Sequence, residues 1–214
     1  YSVTQDYDKA YLYYTKLYDN GTTIENLSDG LRGIVKTAYY AGKPAEFERY
    51  AKKLLNEDFV TNEDKANIFF FRGKIAYDSK DYTKTNYEFD NLFSVSTGEK
   101  AANAKYLIAK MYYNNKEYAQ SKATCFELAN NYGNYDYWVV SSFLLLADLY
   151  IQTDELFQAK ATLNSIVNNY EDGDLLVEAK QKLKQVEKLE SQRSKIITET
   201  DSDGYLELDT INNQ

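Results

Sequence analysis

The sequence predicts an all-α chain built from repeated antiparallel helix pairs. Three observations carry that reading: self-similarity at a nearly constant period, helical spacing of apolar residues inside each period, and a shortage of turn residues. Among 214 residues there are nine glycines and one proline, whereas β-rich domains consume both at their many turns. Hydrophobic residues make up 43% and charged residues 27%, the balance of a chain that folds.

The repeat comes from five segments that share a turn followed by a second-helix pattern. Asp6-Tyr7 leads through Ala10 to Tyr14, Lys43-Pro44 through Phe47 to Ala51, and Asp81-Tyr82 through Thr85 to Phe89. Glu117-Tyr118 leads through Ser121 to Cys125, and Glu155-Leu156 through Ala159 to Leu163. The anchors Tyr7, Pro44, Tyr82, Tyr118 and Leu156 lie 37, 38, 36 and 38 residues apart, and a near-constant spacing of this size marks a repeat architecture. Turnovers are expected near residues 43, 81, 116 and 154.

Ahead of each later anchor runs a first helix. Its core positions read Leu31, Ile34, Val35, Ala38; then Phe69, Gly73, Ala76; then Ile108, Ala109, Tyr112; then Phe143, Leu146, Ala147, Tyr150. Steps of three and four place each set on one helix face. Gly73, Ala109 and Ala147 put a small residue at the centre of that face, where the paired helix must approach closely; Val35 is bulkier. The second helices continue with Leu17, Leu54, Leu92, Leu128 and Ile166.

The array is expected over residues 1–172, a capping helix over 173–194 and an acidic tail over 195–214. From about Asp174 to Lys188, Leu176, Ala179, Leu183 and Val186 form one apolar stripe ringed by charges, as a terminal repeat requires. The tail sets Tyr205, Leu206, Leu208 and Ile211 among acidic residues. The first repeat lacks its first helix, so more repeats are expected upstream. An apolar patch is then expected at Tyr11, Tyr14 and Tyr18, with self-association through that end or through tail docking.

The stretches Tyr106-Leu-Ile-Ala-Lys-Met-Tyr-Tyr113 and Phe143-Leu-Leu-Leu-Ala-Asp-Leu-Tyr150 resemble the first helix of the tetratricopeptide repeat. That family places a large residue, Leu-Gly or Leu-Ala and then Tyr in the first helix, and Ala then Phe in the second. The period here exceeds the usual ~34, and the late Ala and closing Pro are missing. In its longer period and a Leu at the late position the chain is similar to bacterial cell-envelope members, such as the outer-membrane assembly lipoprotein and the Tol-Pal cell-division coordinator.

The resemblance implies a right-handed superhelical solenoid whose first helices line a concave, peptide-binding groove. It implies a protein-interaction scaffold in the periplasm or cell envelope of a bacterium. The alternative it leaves open is a glycan-binding outer-membrane component that uses exposed aromatics. Carried over by register, the groove positions are Arg32, Lys36 and Tyr39; Asn67, Phe70, Lys74 and Tyr77; Asn103, Tyr106, Lys110 and Tyr113; and Leu144, Asp148 and Ile151. Lys36/Tyr39, Lys74/Tyr77 and Lys110/Tyr113 repeat Lys-x-x-Tyr in one register, and a step of three shares a helix face. Such a ladder suits an acidic peptide with aromatic or aliphatic side chains, and Asp148 interrupts it.

Little else points to chemistry, and no catalytic role, cofactor or metal is expected. With no histidine, the commonest general base and metal ligand are missing. The lone Cys125 falls at a second-helix core position, where a free cysteine acts as a small apolar residue. Gly30-x-x-Gly33 is better explained by helix packing than by phosphate binding. Trp138 reads as packing between repeats. A net charge of −8 repels phosphate backbones, so nucleic acid is not the expected partner. No run approaches the ~18 apolar residues of a membrane span.

Overall fold

The computed structural model describes residues 6–171 and 173–204, with side chains described as far as residue 194. These residues form ten α-helices and no strand: α1 (Tyr7–Asp19), α2 (Ile24–Tyr40), α3 (Pro44–Leu55), α4 (Asn62–Asp78), α5 (Tyr82–Val95), α6 (Glu99–Asn114), α7 (Tyr118–Asn131), α8 (Asp136–Gln152), α9 (Leu156–Asn169) and α10 (Asp174–Gly204). The expected turnovers fall between α2 and α3, α4 and α5, α6 and α7, and α8 and α9. Adjacent helices pack as repeated pairs. No described helix is long and apolar enough to cross a membrane.

One backbone device makes all four turns. Gly42, Lys80, Lys116 and Asp154 have φ of 66°, 60°, 62° and 64°. Each is followed by a residue whose N–H reaches back five positions: Lys43 to the Ala38 carbonyl (2.9 Å), Asp81 to Ala76 (2.9 Å), Glu117 to Tyr112 (2.9 Å) and Glu155 to Tyr150 (2.8 Å). The left-handed residue itself donates to Tyr39, Tyr77, Tyr113 and Ile151, respectively. This double closure is a Schellman motif, which satisfies carbonyls that a helix end would otherwise leave open. Only the first turn uses glycine.

The chain divides into two compact units, residues 1–104 and 105–214. In the first, Leu31, Ile34, Phe47, Leu54, Ile68, Phe71, Phe89 and Leu92 are all but completely buried. Gly73 holds the close approach expected of it: a Cβ there would lie 2.3 Å from the Phe89 ring. The glycines of α2 do the same against α1, since a Cβ on Gly33 would lie 2.1 Å from the Tyr14 ring and one on Gly30 2.8 Å from the Tyr18 backbone. Phe69, expected in the core, is only half-buried, while Ile68, Phe70 and Phe71 are buried. Because α4 packs on α2, α3 and α5, it buries several faces, and a single apolar stripe does not describe it.

Helix α1 buries none of its residues. Tyr11, Tyr14 and Tyr18 are half-buried, and the large apolar side chains that face solvent are Leu12 and Tyr13, 58% and 64% exposed.

In the second unit the core runs through Val140, Leu144, Leu146, Ala147 and Leu149 of α8, Leu156, Leu163 and Ile166 of α9, and Ala179 and Val186 of α10. Cys125 packs with Ala109 and Leu145, and burial pushes its thiol pKa up to about 12, so it behaves as the apolar filler expected. The cap stripe is largely as expected, with Leu176, Ala179 and Val186 buried and Leu183 half-buried. The helix does not stop near residue 194, however; it continues to Gly204. No proline or glycine interrupts 191–203, and a helix already formed extends more easily than one starts. Lys160–Glu190 (2.7 Å) and Arg193–Asp154 hold its side toward α9. Residues 205–214, with the apolar positions of the acidic tail, lie outside the described residues.

Candidate functional site: the first-helix faces

In residues 1–104, Arg32 and Lys36 of α2 and Asn67 of α4 converge on one open depression of about 750 Å³, together with Tyr13, Tyr14 and Leu17 of α1. Its floor is an ion pair. The Arg32 guanidinium donates through Nε to Asp64 Oδ1 (2.8 Å) and through Nη2 to Oδ2 (2.9 Å), and also to the Phe59 carbonyl (3.2 Å). Asp64 also caps α4: its carboxylate accepts from the Thr61 N–H (3.0 Å), and its own N–H donates to Thr61 Oγ1 (3.1 Å). Burial works to raise the Asp64 pKa, but the bonds from Arg32 and Thr61 outweigh it and leave the group more acidic than usual. Asp29 and Glu63 join the lining. The surface is therefore of mixed charge, because each cation sits among carboxylates that the register alone does not reveal.

The other first-helix positions of this unit are occupied with packing. Tyr39 stacks on Phe71 with centroids 4.1 Å apart, and burial pushes its pKa up to about 12. Phe70 is 8% exposed with its ring stacked near Phe89; it belongs to the core and not to a groove. Lys74 is bound to Asp78 one turn on (2.7 Å) and lies over the Tyr77 ring. Tyr77 leans on Tyr82, and burial raises its pKa. Asn103 is half-buried on α6 and lines no cavity described here.

Residues 105–214 assemble the expected positions more completely. Tyr106, Lys110 and Tyr113 of α6 and Leu144 and Asp148 of α8 line one cavity of about 330 Å³, while Ile151 packs on the α8–α9 core instead. Tyr137 and Trp138 of α8 and Leu175 and Glu178 of α10 complete the wall. Trp138 makes an edge contact with Tyr137 (4.8 Å) and a tilted one with Tyr106 (5.8 Å). Its indole Nε1 is buried and has no hydrogen-bond partner.

Asp148 accepts a 2.5 Å bond from Lys182, which also lies 3.4 Å from Glu178. Burial works against the Lys182 ammonium, but its bonds to Asp148 and Glu178 outweigh it and raise the pKa. Lys110 is exposed, and its ammonium makes none of the ion pairs seen among the described residues. Burial first, and the Asp148 charge second, raise the Tyr113 pKa.

Sequence reasoning missed five contributors. Asp64 was legible as the closing residue of the Thr61-x-x-Asp64 capping box, the third residue of α4. Leu175, Glu178 and Lys182, at steps of three and four, form a second face of α10 beside its apolar stripe. Trp138 carried no signal that would separate a cavity wall from packing between repeats.

No family model matches the chain, and no curated protein matches it. Among solved structures it is similar to BtubC (BKLC) from P. vanneervenii, at 11% sequence identity with a TM-score of 0.67. The match covers 97% of this chain and 91% of that one. At this identity the likeness speaks for the fold alone: an all-helical chain of packed helix pairs.

Proposed function

We propose that the chain is a tetratricopeptide-type interaction scaffold that binds a peptide segment of a partner protein at the cavity of Tyr106, Lys110, Tyr113, Trp138 and Asp148. The observation that carries the reading is that expected groove positions on two different first helices, α6 and α8, line one cavity. Its apolar lining of Leu144, Leu145 and Leu175 suits an apolar side chain, and its aromatic rim supplies contact at low cost in side-chain entropy. Lys110 offers a charge-assisted bond to a ligand carboxylate or carbonyl. An exclusively acidic ligand is less favoured than the lysine register alone suggests, because Asp148 and Glu178 stand across the cavity. No step of catalysis enters this reading. A bacterial cell-envelope location rests on the family resemblance, and fractionation of the source cells tests it.

The experiment is titration of the protein against a peptide array of varied charge and apolarity, read by calorimetry, with Lys110→Glu and Leu144→Arg as variants. Binding that Leu144→Arg abolishes while the variant, changed at a buried residue, keeps the urea unfolding transition of the unaltered protein supports the reading; binding untouched by both variants refutes it. The clustered rings of Tyr106, Tyr137 and Trp138 beside Asn114 and Asp148 favour one second reading, a glycan stacked on the aromatics. An oligosaccharide array run in parallel decides for it if sugars bind and peptides do not.

A further inference from the structure

The second-helix face of residues 105–214 carries little charge for an acidic protein. Helix α9 carries a single charge, Lys160, which is held by Glu190. Its solvent side reads Phe157, Ala161, Ser165 and Asn168, at steps of four, four and three, all exposed and uncharged. The exposed side of α7 runs Ala119, Ala123, Phe126 and Asn130 in the same manner. Both charged residues of α7 are engaged, Lys122 with Glu155 and over the Tyr150 ring, Glu127 with Lys105. Phe157 is 77% exposed and Phe126 43% exposed.

Sockets open on the same face. One, of about 260 Å³, is lined by Phe126, Phe143, Leu146, Tyr150, Ala161 and Ser165, among others. A second, of about 230 Å³, shares Phe143 and Ser165 with the first and continues past Val139 and Ile166 to Tyr170. Asp136 is the only charged residue in either lining.

We propose that this face pairs two copies of the chain about a two-fold axis at Ala161, with each Phe157 ring seated in the socket of the other copy. An interface related to itself by a two-fold axis must carry knob and socket on one patch, and this face does. Phe157 and Ser165 lie four residues either side of Ala161, about 6 Å along the helix at 1.5 Å per residue. When two α9 helices cross antiparallel at Ala161, Phe157 of one copy therefore arrives over Ser165 of the other, where the two sockets adjoin. Ala161 and Ser165 are small enough for helix axes to approach to about 8 Å.

Charge selects the occupant. Two molecules of net charge −8 repel wherever their acidic surfaces meet, and the cores of interfaces are depleted of charge. A face freed of charge on such a protein suits a second copy. The pairing does not depend on the peptide cavity, which faces elsewhere on α6 and α8.

The test is sedimentation of the full chain over a concentration series, with Phe157→Glu, Leu12→Glu and Ala161→Cys beside the unaltered protein. The expected result is a concentration-dependent dimer, weakened about tenfold or more by Phe157→Glu, as for a central anchor, and unchanged by Leu12→Glu. Ala161→Cys should oxidise to a disulfide-linked dimer, while Thr83→Cys, exposed in residues 1–104, should not. A monomer at every concentration overturns the proposal and leaves the face to a different protein. A dimer that survives Phe157→Glu and is lost with Leu12→Glu overturns it in favour of pairing through α1.

Discussion

The first-helix faces of residues 1–104 and 105–214 begin from one register and end as different surfaces. In the former, Arg32 and Lys36 open onto a broad polar depression whose floor is the Arg32–Asp64 pair. In the latter, Tyr106, Lys110 and Asp148 close around a smaller cavity walled by rings. Lysine at one register position is exposed on α2 and α6 but bound to Asp78 on α4. Register in a repeat thus assigns a position to a face, while neighbours from other helices decide whether that position binds, packs or pairs.

The largest expected effect that would sharpen this contrast is on stability. Asp64→Ala leaves Thr61 as the N-cap but removes the carboxylate that accepts the Thr61 N–H, worth about 1 kcal/mol, and strands the partly buried Arg32, worth about 1.5–3 kcal/mol for a charged hydrogen bond. A loss near 3 kcal/mol is expected in urea unfolding, against about 1 kcal/mol for Asp148→Ala, since Lys182 keeps Glu178. Because the folded state lowers the Asp64 pKa, its contribution is fully present above the ordinary carboxylate range and lost as pH falls through the lowered value. Equal losses in the two variants would erase the distinction between the surfaces.

Ligand affinity comes next. Trp138→Ala should weaken peptide binding about tenfold or more, as for a buried aromatic anchor, with Lys36→Glu leaving it unchanged. A reverse result in calorimetry would move the site to residues 1–104.

A smaller effect concerns a second buried acid of residues 1–104. Glu88 is 5% exposed, its Oε2 lacks a partner, and burial raises its pKa. A raised pKa means stability that is present in acid and lost as pH rises through the folded value. Glu88→Gln should remove that part of the pH dependence and raise stability at neutral pH by about 1 kcal/mol. An unchanged pH profile would show that Glu88 is already compensated. Smallest of all, Lys110→Glu should change binding by about 0.2–1 kcal/mol and fade with salt.

Helix pairing was legible because period and turn position survive large changes in side chain. Ala38, Ala76, Tyr112 and Tyr150, unlike in kind, all accept the same turn-closing N–H bond. The left-handed residues at Lys80, Lys116 and Asp154 were not legible, since a main-chain motif holds them and no glycine marks the spot. For the candidate site, Tyr106, Lys110 and Asp148 gather where the register carried over from the family resemblance puts them. The pairing of Arg32 with Asp64, 32 residues away, does not, because long-range ion pairs depend on packing that no local pattern encodes. Phe70 was misplaced for a related reason: in the run Ile68-Phe69-Phe70-Phe71 every phase is apolar, so periodicity cannot choose the buried face.

Trp138 is the single tryptophan among 22 tyrosines, and it stands in the wall of the aromatic cavity. The chain therefore carries an intrinsic optical probe at one address. Light absorbed by the tyrosines and passed to the indole would emerge as emission coloured by that wall alone. A guest entering beside Trp138 would shift the colour or quench the signal without any label being attached. Emission unmoved by a guest that calorimetry detects would place that guest elsewhere on the molecule.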